Sequence, residues 1–85
     1  MENFNLGHAI RSFRKKAGKT QEFFAEEISI SPDHLSRIEN NKRMPSVILL
    51  VEIAKKLNKP LWEIMLKAEG YNAHKQDTFS SLQKN

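Results

Sequence analysis

Few side chains in this 85-residue chain have types and spacing suited to chemistry. There is no cysteine, which excludes disulfides, cysteine-type zinc sites and thiol catalysis. His8, His34 and His74 are too far apart in sequence for a metal set, because zinc sites draw several ligands at short, defined intervals. No Ser, His and Asp combination has support for a nucleophile, and no glycine-rich loop is present to cradle phosphate. The expectation is a protein that is not an enzyme and uses neither a metal nor a small-molecule cofactor. What remains is a polar, charged stretch: Ser31, Pro32, Asp33, His34, Ser36 and Arg37, followed by Asn40, Lys42 and Arg43. Arg37 offers a planar fork of donors, Asp33 only acceptors, and His34 either, according to tautomer.

Elements able to hold that stretch are legible in the apolar spacing. Positions recur at helical intervals, and strand-like alternation is missing. A first helix is expected over 6–17, with Leu6, Ile10 and Phe13 inward and Gly18 as a left-handed stop. Thr20 is a good N-cap for a second, with Phe24, Ala25 and Ile28 inward and Glu22 in the first turn. Ser29-Ile30 makes a turn. Ser31-Pro32 opens a third helix, about 32–40, because proline suits the first helical position. Leu35 and Ile38 face inward there. Ser46 caps a fourth helix ending near Leu57, with Leu50, Ile53, Ala54 and Leu57 inward. A fifth covers 61–69, with Leu61, Ile64 and Met65 inward, and Gly70 ends it. The fold class expected is all-α: a compact five-helix domain over 6–69 with a tail over 70–85. The tail is mostly polar, with Tyr71, Phe79 and Leu82 its main apolar side chains, and is expected to be loose or to order on a partner.

Charge narrows the partner class without fixing it. Lys and Arg number 14 against 10 Asp and Glu, a net +4 that is compatible with nucleic acid. The longest apolar run, 47–51, is far below the ~20 residues that span a bilayer. Met1-Glu2-Asn3-Phe4 has no basic, apolar secretory pattern. A cytoplasmic protein with no membrane partner is expected.

Two short helices joined by a tight turn, the second capped by Ser-Pro, form a helix-turn-helix pattern over 21–40. The carriers of a more specific likeness are Ile10-Arg11, Arg14, Thr20-Gln21, Phe24-Ala25, Ile28 and Ile30-Ser31. They continue through Leu35-Ser36-Arg37-Ile38-Glu39-Asn40, Pro45-Ser46 and Ile53-Ala54 with Leu57. In their joint order and spacing, over about 6–66, the chain resembles the Cro and lambda-repressor type helix-turn-helix proteins, the Xre family. The resemblance implies a lambda-repressor-like fold and a cytoplasmic, nucleoid-associated DNA-binding regulator, bacterial or carried by a phage or plasmid. Such a regulator is expected to be a repressor that binds double-stranded DNA as a homodimer on an inverted repeat. It also implies roles: Ser31, Pro32, Asp33, His34, Arg37 and, more weakly, Ser36 as readers of bases or adjacent backbone. Thr20, Gln21, Asn40, Lys42 and Arg43 would meet phosphates, and Arg14 with Glu39 would form a structural salt bridge. The residue types suit these places. Arg37 can donate two hydrogen bonds to guanine O6 and N7, and Asp33 can accept from cytosine N4. Lys42 and Arg43 add affinity without sequence information.

The sequence departs from the family pattern at several places. Ser29 and Asn41 stand where relatives have glycine, Lys19 replaces a common leucine, and Phe23 is aromatic where relatives are polar. Arg11, Arg14, Lys15, Lys16 and Lys19 form a basic cluster that could line the DNA backbone or be a solvated helix face, the latter favoured for Lys15 and Lys16. Trp62 is expected to point outward, and with Leu49, Val47, Leu66 and Tyr71 it makes a candidate dimer surface. The alternative is an antitoxin-like or controller protein whose main partner is another protein, bound through the 71–85 tail. Stoichiometric co-purification of a second protein separates the two readings.

Overall fold

Short polar side chains decide where the helices start. The computed structural model describes residues 4–70, and among the described residues the chain is five α-helices. They are α1 (Leu6–Lys16), α2 (Gln21–Glu27), α3 (Pro32–Glu39), α4 (Val47–Lys56) and α5 (Leu61–Glu69). The all-α expectation holds, with boundaries within a residue of those read from the sequence. Thr20, Ser31 and Ser46 cap as expected, accepting from the backbone N–H of Phe23, His34 and Leu49. Each satisfies one of the first-turn donors that a helix leaves unpaired. Asn5 does the same for α1, accepting from the N–H of His8 at 2.9 Å. Pro60 precedes α5 without a side-chain cap bond.

The helix ends repeat a single device. Gly18, Ser29, Asn41 and Asn58 follow α1 to α4 with φ of 74°, 62°, 59° and 59°. Each of these residues, and the one after it, donates its backbone N–H back into the last turn. For α3, Asn41 N–H reaches Ile38 O at 3.1 Å and Lys42 N–H reaches Arg37 O at 2.8 Å. This paired closure satisfies carbonyls that would otherwise be orphaned, and it requires a left-handed residue. Ser29 takes the left-handed conformation without being glycine, at a steric cost of about 1–2 kcal/mol for an L-residue.

Inward faces meet in one core. Phe24, Ile10, Leu35, Ile38, Ile53 and Ile64 are its largest fully buried side chains. Ala9, Ala25 and Ala68, at 0% exposure, let the helices approach closely. Burying each large apolar side chain contributes roughly 1.5–3 kcal/mol. Leu61 and Met65, expected inward, are half-buried against this core rather than inside it. α1 packs on α3 and α5, α2 packs on α3, and α4 packs on α5.

The contact between α1 and α3 is a backbone approach. A Cβ at Gly7 would lie 2.6 Å from the carbonyl oxygen of Ile38 and closer still to that of Glu39. Only glycine fits there. Asn41 reinforces the junction: its Oδ1 accepts from Gly7 N–H at 3.0 Å and its Nδ2 donates to Asn5 Oδ1 at 2.7 Å. The end of α3 is thereby clamped to the start of α1.

Candidate nucleic-acid interface

The turn between α2 and α3 is set by Ser29 and by the Ser31 cap. Ile30 N–H donates to Ala25 O at 3.0 Å, which folds the chain back on α2 before α3 begins. Pro32, with no N–H to lose, occupies the first turn of α3. Leu35 and Ile38 pin one side of α3 to the core. The other side, carrying Pro32, Asp33 and Arg37, is exposed, and His34 and Ser36 flank it half-buried.

A buried ionic network holds this unit from behind. Arg14 Nε donates to Glu39 Oε2 at 2.6 Å and Nη2 donates to Oε1 at 3.1 Å. Arg14 Nη1 donates to the carbonyl of Lys19 at 2.6 Å. Gln21 Nε2 donates to Glu39 Oε1 at 3.0 Å, so one carboxylate ties α1, the start of α2 and the end of α3 together. Burial removes water from the pair, and the convergent donors compensate for that desolvation. The expected pairing of Arg14 with Glu39 is present in the fold; the bond from Gln21 was not foreseen. Gln21 keeps its second amide N–H and its oxygen for other partners.

The phosphate candidates fall at both ends of this unit. Thr20 and Ser31 use their oxygens as caps, yet each hydroxyl still has a proton to donate. Lys42 and Arg43 are exposed, and their backbone N–H groups both donate to Arg37 O, at 2.8 and 3.3 Å. The basic loop is thus folded onto the end of α3. Asn40 differs: its Nδ2 donates to Ser36 O at 2.9 Å and lies 3.3 Å from Ser36 Oγ. Its amide is partly committed to its own helix. On the exposed face Arg37 Nε donates to Asp33 Oδ2 at 2.9 Å, one helical turn away.

Comparison with known proteins now decides the class. The helix-turn-helix family model matches residues 10–63. The chain belongs to the Xre-type helix-turn-helix family. It is 44% identical over 58 residues to the uncharacterized HTH-type transcriptional regulator YazB of Bacillus subtilis, covering 68% of this chain and 84% of that one. It is similar in structure to the clp gene regulator ClgR of C. glutamicum (TM-score 0.77, 31% identity, 84% of this chain and 92% of that one). It also resembles SinR, the master regulator for biofilm formation, solved in complex with DNA (TM-score 0.65, 27% identity, 69% of this chain and 95% of that one). The chain is therefore a helix-turn-helix transcriptional regulator of a DNA-binding family, a class that is not typically enzymatic.

Other expected positions in this helix-turn-helix regulator are placed differently. Lys19, expected in the basic cluster that could line the DNA backbone, turns inward. Its Nζ donates to Glu27 Oε1 at 2.7 Å and to the carbonyl of Lys56 at 2.9 Å, and it lies 5.5 Å from the Phe24 ring centroid. It joins the loop before α2 to the end of α4. Arg11, Lys15 and Lys16 are exposed. His8 titrates below its ordinary value because partial burial and the nearby positive charges of Lys67 and Arg11 disfavour its protonated form.

Of the candidate dimer surface, one placement differs from expectation. Trp62 is 65% exposed and Leu66 lies one turn further along α5, also exposed. Leu49 is half-buried and packs against the core, because its position on α4 turns it toward Leu50 and Ile53 rather than outward. The outward apolar residues of α4 are Val47, Ile48 and Val51, preceded by Met44 in the loop. Tyr71 and the rest of the tail lie outside the described residues. Among the described residues no helix is long and apolar enough to cross a membrane, and no cluster of His, Asp or Glu could hold a metal ion.

Proposed function

We propose that this regulator is a cytoplasmic repressor that binds an inverted-repeat operator as a homodimer, with α3 in the major groove. The observation carrying the proposal is the exposed polar side of α3, continuous with a basic loop that is hydrogen-bonded to the end of that helix. The major groove, about 12 Å wide, admits one helix, and side chains near its start then meet base edges. Ser31, Pro32, Asp33, His34, Ser36 and Arg37 form the reading set. Thr20, Gln21, Asn40, Lys42 and Arg43 hold the flanking phosphates and fix the register. SinR, a structural relative, was solved with DNA, which supports the same partner here.

The homodimer rests on the exposed apolar residues of α4 and α5, above all Trp62 and Ile48. Large exposed apolar side chains on a small domain mark an association surface. A two-fold dimer sets two recognition helices about 34–36 Å apart, one turn of DNA. Occupancy of an operator overlapping a promoter then blocks transcription without further chemistry.

Selection of bound duplexes from a random-sequence pool tests the reading. An enriched inverted repeat with half-sites about 10–10.5 base pairs apart is expected; an unenriched pool overturns it. Lys42→Ala and Arg43→Ala should each weaken all sequences alike and reduce the salt slope of binding by about one unit. An unchanged slope removes that residue from the phosphate set.

A further inference from the structure

The i,i+4 pair on the exposed side of α3 determines how Arg37 is presented. Arg37 Nε donates to Asp33 Oδ2 at 2.9 Å while the two side chains remain 62% and 75% exposed. Both belong to the proposed reading set, yet an aspartate there looks ill suited to a polyanion. Its charge opposes every nearby phosphate, and a place in the first turn of α3 explains only a contribution to helix stability.

Guanidinium geometry removes the conflict. Arginine has five N–H donors in one plane. The bond to Asp33 engages the Nε side, and the two Nη groups at the far end stay free as parallel donors. That end matches guanine O6 and N7, which lie side by side in the major groove. Asp33 also fixes a long, flexible side chain in one orientation before DNA arrives, so less freedom is lost when the base contact forms. Its negative charge disfavours the competing pose in which Arg37 slides onto a phosphate.

We infer that Asp33 and Arg37 form one reading unit for a G·C pair, in which Arg37 contacts guanine and Asp33 is the positioning residue that aims it. This inference rests on the proposed DNA-reading role of α3. It assigns Asp33 to Arg37 and not to a cytosine of its own.

The test repeats the random-pool selection with wild type, Asp33→Ala, Asp33→Glu, Arg37→Ala and the double variant, with circular dichroism confirming that each is folded. Wild type should select guanine at one position per half-site. Arg37→Ala should lose that preference, and Asp33→Ala should reduce it about tenfold at the same position, within the range of one bidentate base contact. Asp33→Ala should at the same time bind mixed-sequence duplex more tightly, because a charge facing the phosphates is gone. Asp33→Glu, which keeps a carboxylate one turn from Arg37, should retain the preference. The double variant should match Arg37→Ala in specificity, as two members of one unit must. A purely structural role for Asp33 would move thermal stability and leave base preference alone.

Two failures are distinguishable. If wild type enriches no sequence, the DNA-reading role of α3 falls and the pair falls with it. If wild type enriches a site but Asp33→Ala leaves it intact, or changes a different base pair from Arg37→Ala, only the reading unit is overturned.

Discussion

Helices α3 and α4 are built by the same local rules and turn opposite surfaces outward. Each starts at a serine that accepts the N–H three residues on, Ser31 from His34 at 3.0 Å and Ser46 from Leu49 at 3.1 Å. Each closes on an asparagine at φ 59°. Each buries one apolar side, Leu35 and Ile38 in α3, Leu50, Ile53 and Ala54 in α4. Outward, α3 shows Asp33 and Arg37, whereas α4 shows Val47, Ile48 and Val51. Caps, stops and the buried side suffice to make a helix. The remaining side is free of folding constraints, so its chemistry can differ: charged and hydrogen-bonding groups on one helix, apolar side chains on the other.

The difference extends to anchoring, and perturbation of each region exposes it. Glu39→Ala should have the largest effect. It strips the carboxylate from a buried guanidinium and from Gln21, and should cost about 3–5 kcal/mol in urea unfolding. A loss under 1 kcal/mol would show that α3 is held by its apolar side alone. Trp62→Ala, on the apolar side of the comparison, should leave monomer stability nearly untouched but weaken self-association by about 2 kcal/mol or more, as truncated interface anchors do. Sedimentation at low micromolar concentration reads it, and equal masses for both proteins would remove Trp62 from the proposed interface.

Smaller effects sharpen the contrast at the turns. Ser29→Gly should stabilise the protein by roughly 0.5–1 kcal/mol, because relief of the left-handed serine outweighs the added chain entropy. Asn58→Gly, after α4, should gain less, since asparagine tolerates that region. Equal gains would mean that the turn into α3 stores no special strain. The smallest effect belongs to neither helix. His8 is held below its ordinary pKa, so unfolding takes up a proton in the window below about pH 6.5. Stability is therefore full above that value and declines on acidification. His8→Gln should flatten the decline, and a decline unchanged in the variant would assign it to other groups.

Most of the fold was legible because its signals are local. Thr20, Ser31 and Ser46 as starts, and Gly18 and Asn58 with Pro60 as stops, need only a few neighbours to act. Spacing identified the buried side wherever apolar and polar residues alternate with the turn, as around Leu35 and Ile38. It also found the buried side of α4, Leu50, Ile53, Ala54 and Leu57, but misplaced Leu49, because residues 47–51 are apolar throughout and a pattern without contrast does not say whether Ile48 or Leu49 faces out. The polar stretch over 31–43 was legible as a candidate site from composition and position. Hidden from the sequence were bonds between distant residues. Lys19 reaches the Lys56 carbonyl, and Asn41 reaches Gly7 and Asn5, across 34 to 37 positions of chain. The Asp33–Arg37 spacing was visible all along, but an i,i+4 ion pair is so common on helices that nothing marked it as special.

Asn5 N–H donates to the Ala68 carbonyl at 3.0 Å, joining the entry to α1 to the last turn of α5. The two ends of the described helical body thus lie side by side. Such a body can be spliced into a surface loop of a host protein without stretching either, or have its order rearranged by joining residues 4 and 70 through a short bridge. The helical body is in this sense a cartridge, portable as a whole.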